Sequence, residues 1–477
     1  MDMKNLAFNP YLPSWEYVPD GEPHVFNGRL YVYGSHDRAH GTRYCEEDYV
    51  VWSAPVDDLS SWKYEGVSYT KSQDDANIDG TKLMFAPDVA CGPDGRYYLY
   101  YGLSDIRYIG VAVSDSPAGP FTYYGHVQYA DGSLPDGLAF DPGILVEEDG
   151  IYLYYGISPK IEGKPTKTYA ALKEIMPGAC MIRLDRDMKT VISAPVLVAN
   201  GYCSAKGTGF EEHPFFEASS IRKVNGRYYF IYSSLQGHEL CYATADAPEG
   251  PFTFGGVIVS NGDVGLGKEP SAYMANNHGS IECVNGQYYI FYHRHTHGRH
   301  FSRQACAEKI QILEDGRIPQ VEITSCGLNA GPLPAGHRYP SYIICNLHGP
   351  SPAEKIPSRP PFDETAPYLT ETEATEREKR VLYLTNMQKG AACGVKYLQF
   401  EGETSVKITV KGAKGTVKVL LDSQNSPPIG LIHADKEQPD WTDYIAEFEA
   451  VHGTHAVYFL FEAEDGVMDF LEFEFSI

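Results

Sequence analysis

No run of apolar residues in this chain approaches the roughly 20 that a membrane-spanning helix needs. The opening MDMKNLAFNP does not set a basic segment before an apolar one, as a secretory signal would, so a cytoplasmic location is expected. Positive charge is scarce: 39 Lys and Arg stand against 63 Asp and Glu, a net charge of -24. That balance argues against nucleic acid, which is gripped through Lys and Arg on phosphate, and against an anionic membrane surface. A neutral ligand such as a sugar is indifferent to it. The ten cysteines include no C-x-x-C pair, which removes the usual zinc and redox spacings and leaves reduced, mostly buried thiols. Gly262 to Lys268 spells the start of a phosphate loop, but Glu269 replaces the Ser or Thr that would hold Mg2+. The cluster HRHTHGRH (293–300) has no cysteine or carboxylate with it. Alternation would set His293, His295 and His297 on one face, and a loop near a pocket is favoured over zinc.

What the chain does have is turn-forming and strand-forming residues. It carries 36 Tyr and 21 Phe beside 46 Gly and 32 Pro, which suits many short strands joined by tight turns. Its 477 residues suit two domains.

One pattern repeats five times: NGRLYVYGSHD (27–37), DGRYYLYYGLS (94–104), DGIYLYYGIS (149–158), NGRYYFIYSS (225–234) and NGQYYIFYHRH (285–295). Asn-Gly or Asp-Gly between apolar runs predicts a hairpin, because the turn needs positive φ. The five Gly (28, 95, 150, 226 and 286) lie 55 to 76 residues apart, room for one four-stranded sheet each. Repetition of such sheets about an axis predicts a five-bladed β-propeller.

The innermost strand of each blade lines the central channel and leads into its hairpin. Counting back seven to nine residues from each Gly reaches Asp20, Asp88, Asp141, Glu217 and His278. A single Asp or Glu there reads as a turn cap or a solvated charge. Five ionisable residues at one level, none of them Lys or Arg, point to a shared pocket. Glycoside hydrolysis needs one carboxylic acid to protonate the leaving oxygen and a second carboxylate to attack or to activate water. Carboxylates converging on one cavity spread their pKa values, so that one stays protonated.

With these residues in view, the chain from about 5 to 330 resembles glycoside hydrolase family 43. The resemblance is carried by Asn9-Pro10, MFAPDV (84–89), AFDPGILVEEDG (139–150), FFEASSIRKVNGRYYFIYSS (215–234) and NNHGSIECVNGQYYIFYHR (276–294). It implies a five-bladed propeller and an inverting enzyme on arabinose- and xylose-containing glycans. It implies Glu217 as general acid and Asp141 as the carboxylate that orients this acid and raises its pKa. The base is implied in the first blade, where PDGEPHVFNG (19–28) offers two residues. Asp20 matches by distance from the hairpin, and Glu22 by standing before Pro; two residues apart, they share a strand face. The inverting geometry predicts acid and base carboxyls about 6.5–9.5 Å apart. No cofactor is required, but the resemblance implies a central Ca2+ touched by His278 through a shell of waters; a His bonded to a neighbouring carboxylate is the alternative. Arg294 is implied to reach the sugar, and Phe85 either stacks on it or is core. Asp88 is expected to cap its blade.

Residues 331–370, rich in Pro and Gly, read as a wrapped linker. From 371 to 477 alternating strands such as SVKITV and FLEFEF predict a β-sandwich with one wet face. KYLQF and the stretch from Trp441 onward resemble carbohydrate-binding module family 6, a jelly roll. Such modules carry a structural Ca2+, for which Glu373 and Asp469 are the nearest matches. The domain either binds sugar or braces the propeller.

The reading is thus an all-β chain, 1–330 a catalytic propeller and 371–477 a sandwich, that releases pentose from xylo- or arabino-oligosaccharides as a β-xylosidase and/or α-L-arabinofuranosidase. Rival readings are an endo-arabinanase or exo-galactanase of the same plan, or a non-catalytic sugar-binding propeller. The carboxylate set speaks against the last, since binding alone would not gather unpaired charges.

Overall fold

The computed structural model describes residues 6–135, 137, 140–160, 176–350 and 366–477. Among them the regular structure is all strand apart from short 3-10 turns, and no helix is long and apolar enough to cross a membrane. Five sheets, antiparallel except for one short parallel pair in the third, follow one another along the chain. The first blade runs through Glu22–Phe26, Arg29–Tyr33, Tyr49–Pro55 and Lys63–Tyr69, and the second through Asp88–Cys91, Tyr97–Gly102, Ile109–Ser114 and Thr122–His126. The third begins Gly143–Glu147 and Gly150–Tyr155, the fourth Phe215–Val224 and Arg227–Ser234, the fifth Ile281–Val284 and Gln287–His295. The fifth blade has only three strands of its own, ending with Arg303–Lys309. The N-terminal segment supplies its outer edge. Tyr11 N–H donates to Ala305 O at 3.2 Å, and Asn9 brackets Ala307 by accepting from its N–H and donating to its C=O, both at 2.9 Å.

The hairpins follow the turn chemistry. Asn27-Gly28, Asn225-Gly226 and Asn285-Gly286 each have both φ angles positive, as a type I′ turn demands. The third hairpin departs from the pattern. There Glu147 pairs with Gly150, so the turn falls on Glu148-Asp149 and Gly150 belongs to the strand. Tyr and aliphatic side chains from neighbouring blades pack between the sheets, with Tyr100, Tyr101, Tyr154 and Tyr232 essentially inaccessible.

The C-terminal domain is one ten-stranded sheet rolled over its own core. Its longest strands, Ala392–Gly412 and Gln438–Ala463, pair along most of their length through several register shifts. Those shifts let the sheet bend. Val406, Ile408 and Val410 therefore share one core with Val417, Val419, Phe459, Phe461, Phe470 and Phe473. The stretch read as a linker needs correcting. Leu333–Pro334, Arg338–Pro340 and Asn346–His348 are strands of this sheet, and residues 351–365 lie outside the described residues. Proline suggested a linker, but Pro334 and Pro340 sit in short peripheral strands, where a missing N–H is tolerated.

The two domains are pinned together. Lys396 is buried, with its Nζ 2.9 Å from Glu322 and 3.4 Å from Asp263, and Ser325 N–H donates to Lys396 O. Lys396→Met leaves Asp263 as a buried charge without its cation. We expect a loss of about 3 kcal/mol, at the low end for a broken buried pair because Glu322 is partly solvated. Denaturant unfolding of the whole chain measures it.

Candidate active site

Two of the carboxylates are carried on residues in the left-handed region, which Asp tolerates better than most: φ is 58° at Asp20 and 45° at Asp141. Glu217 sits between two register shifts of its strand, beside Ala218 at φ 68°. From three blades these side chains converge on one cavity of about 460 Å³. Phe85, Phe140 and Phe216 form much of its apolar wall, with the Phe85 and Phe140 ring centres 5.0 Å apart. Asp105 and Arg107 stand exposed among its lining residues.

Each carboxylate has a different environment. Asp20 accepts from Arg303 Nη1 at 2.6 Å and from the Ser35 hydroxyl. Burial is the largest single influence and would raise its pKa, but Arg303, His293, His278 and the Ser35 hydroxyl together outweigh it and hold the group at about 2. Arg303 is fixed in turn by Asp37, whose two oxygens take its Nε at 2.8 Å and Nη2 at 3.0 Å in a planar fork. Asp141 accepts from Ala218 N–H at 3.0 Å, which ties it to the backbone next to Glu217, and burial raises its pKa. Glu217 opens partly onto the cavity but is enclosed by protein. Burial first, and the nearby Asp141 charge second, push it up to about 8. The cavity thus holds an ionised carboxylate and a protonated one at neutral pH. That is the pairing acid–base cleavage of a glycoside requires.

Loss of the proton on Glu217 removes the acid form, so activity should fall as pH rises through about 8. The acidic limb should lie far lower, near the Asp20 value of about 2 or at acid unfolding. Asp141→Asn removes a charge that helps to raise Glu217, so the alkaline limb should move down in pH. A kcat/KM profile of wild type and variant measures the displacement.

His278 lines the cavity from the fifth blade, with Nδ1 3.6 Å from Asp141 and Nε2 3.7 Å from Glu22. Burial would lower its pKa, but the two carboxylates raise it well above the usual value. Glu22 does not line the cavity. It is fully buried and accepts from Ser220 Oγ and from Arg222 Nη2, each at 3.0 Å. The expected shared strand face does not hold, because the strand begins at Glu22 while Asp20 stands before it at φ 58° and alone lines the cavity. The calcium implied by the family can be tested against two unpartnered buried atoms, His278 Nε2 and Glu22 Oε1. They face each other at 3.7 Å, and Nε2 can ligate only after His278 gives up its proton, so the pair fits a cation that displaces that proton and draws most of its ligands from water. Asp88 accepts from Ile144 N–H at 2.8 Å and contacts His24 Nε2 at 2.7 Å, joining the second blade to the first and third.

Arg294 is elsewhere. It is buried on the opposite face of its strand, its Nε on Cys306 Sγ and its Nη1 on Ile344 O, each at 3.0 Å. The buried arginine in the cavity is Arg303, which sequence reasoning missed. The signal was present in the parity of HRH: His293 lies 3.3 Å from Asp20, so its neighbour Arg294 must face away. Arg303 pairs across the hairpin with His295 and shares the face of His293. Asp37, Ser35, Tyr44 and Phe140 were also missed, since they come from loops of no fixed period. His293 and His295 both meet Asn276 O, and neither joins a metal-capable cluster among the described residues. Nor do Glu373 and Asp469 come together as calcium ligands. Asp469 takes the Thr385 hydroxyl and Lys411, while Glu373 faces a cleft beside the propeller. All ten cysteines are free thiols.

A propeller that gathers a protonated and an ionised carboxyl group beside an apolar wall is a glycosidase, a hydrolase of O-glycosyl bonds. Residues 19–318 match the family model Glycosyl hydrolases family 43, and the chain belongs to that family. A xylosidase/arabinosidase of Thermoclostridium stercorarium is 47% identical over 470 residues, covering 96% of this chain and 97% of the relative. The solved β-xylosidase/α-arabinofuranosidase from a compost microbial metagenome, with xylotriose and calcium-free, matches at TM-score 0.52 and 28% identity, over 67% of this chain and 98% of its own. An arabinoxylan arabinofuranohydrolase of Bacillus subtilis matches across both domains, 98% of this chain and 97% of its own, at TM-score 0.50. At 21% identity that likeness speaks to the fold alone.

Proposed function

We propose that the protein is an inverting, exo-acting pentosidase, a β-xylosidase and/or α-L-arabinofuranosidase acting on xylo- or arabino-oligosaccharides. The observation that carries this reading is the cavity with Asp20 held near 2 and Glu217 near 8, in a chain 47% identical along almost its whole length to a xylosidase/arabinosidase. Exo action is supported by the 47% identity, along almost the whole chain, to a xylosidase/arabinosidase.

Glu217 protonates the glycosidic oxygen as the bond to the anomeric carbon breaks. Asp20 takes a proton from the water that attacks that carbon from the opposite face, and the product leaves with its anomeric configuration inverted. Asp141 orients the Glu217 backbone through Ala218 N–H and keeps the acid protonated. Arg303 holds Asp20 ionised and Asp37 holds Arg303 in place. When bound, a calcium ion held by His278 and Glu22 would supply positive charge near the catalytic carboxylates. A panel of nitrophenyl pentosides and hexosides tests the substrate class, and proton NMR of the first sugar released tests its stereochemistry. Release of pentose only, initially as the inverted anomer, is expected; the retained anomer would overturn the assignment of Asp20 as a base.

A further inference from the structure

A second cavity, of about 760 Å³, lies between the propeller and the C-terminal domain. This is within the few hundred to a thousand cubic ångströms that ligand sites occupy. Trp15, Arg38 and His40 face it from the propeller, and Glu371, Glu373 and Arg377 from the sandwich. Chain topology puts it on the same end of the propeller as the catalytic cavity. The innermost strand of the first blade leaves that end at Asp20, and the antiparallel second strand, Arg29–Tyr33, returns to it. The loop from 34 to 48, which carries Arg38 and His40, therefore spans that end. The two cavities also meet across one ion pair, Asp37 on the groove side and Arg303 on the catalytic side. Asp37 lines the interdomain groove while its carboxylate grips Arg303 on the other side.

We propose that this groove is a subsite for the leaving-group portion of a xylo-oligosaccharide, so that the C-terminal domain takes part in choosing the substrate. This rests on the reading that the catalytic cavity accepts a terminal pentose. The loop that lines the groove also carries Tyr44 and Cys45 of the catalytic cavity, so sugars beyond a terminal pentose held there lie beside the groove. Several of the groove's charges are balanced within it. Glu371 is bound by Arg380 at 2.6 Å and by the Tyr17 hydroxyl at 3.2 Å, and Arg377 lies 3.9 Å from Glu16. A neutral chain suits such a surface better than an ion does. The half-buried indole of Trp15 supplies an apolar wall of the kind sugars stack on, and Arg38 and Glu373 are exposed with no ion pair among the described residues.

The test compares kcat/KM for xylotetraose with that for nitrophenyl xyloside, in the full-length wild type and in Glu373→Ala, Arg377→Ala and Trp15→Ala. Glu373 and Arg377 are exposed loop residues whose loss leaves the core intact; Trp15→Ala is checked by its melting curve. The xylotetraose to nitrophenyl ratio should fall about tenfold in at least one loop variant, mainly through KM. Equal loss on both substrates, or no change in the ratio in any variant, overturns the subsite while leaving the pentosidase reading intact. A wild type that releases nitrophenol from no pentoside overturns both.

Discussion

Glu217→Gln is expected to lower kcat on xylobiose by about 10²- to 10⁴-fold, the usual worth of a positioned general acid. Gln keeps the shape of the side chain and removes the proton it would donate. The loss should shrink for a dinitrophenyl xyloside, whose leaving oxygen departs without protonation. It should also be accompanied by the disappearance of the alkaline limb near pH 8, because that limb is the titration of this one group. Steady-state kinetics on the two substrates across pH separates this from general damage. A loss equal for both leaving groups would mean that Glu217 is not the acid.

Asp20→Asn should cost a similar factor, about 10²- to 10⁴-fold, but without regard to the leaving group, because the step it serves is the activation of water. Its partner Arg303 would lose a carboxylate at 2.6 Å but keep the fork to Asp37, so the folded state should survive. Glu22→Gln offers the contrast. Its carboxylate is engaged with Arg222 and Ser220 and does not line the cavity, so its removal should lower stability more than the chemical step. A variant pair in which Asp20→Asn retains activity and Glu22→Gln loses it would reverse the assignment of the base.

The blade count and the convergence of Asp20, Asp141, Glu217 and His278 were legible because a propeller ties both to a repeat: Asn-Gly fixes the turn, and the turn fixes how far back the channel lies. The third hairpin shows the tolerance of that rule, since its turn falls one residue early and Asp141 still reaches the cavity. Arg303 was hidden for a different reason. It sits on the third strand of its blade and reaches the centre by the length of an arginine side chain, a distance that no count from a glycine encodes. The short strands between 333 and 348 were hidden because their pairing partners lie far later in the chain, Arg338 against Glu474 for one, and Pro and Gly mark only that the backbone is irregular there.

The closure of the fifth blade by the N-terminal segment bears on how the molecule is made. Asn9 meets Ala307, 298 positions away, so the ring cannot shut until its last sheet exists. Formation of the circle is therefore dominated by long-range contacts and should be slow compared with that of a single hairpin. Asp20 lies only eleven residues beyond Asn9. The proposed base is thus set in place by the same clasp that joins the two ends of the wheel, and catalytic competence should emerge only when the circle is complete.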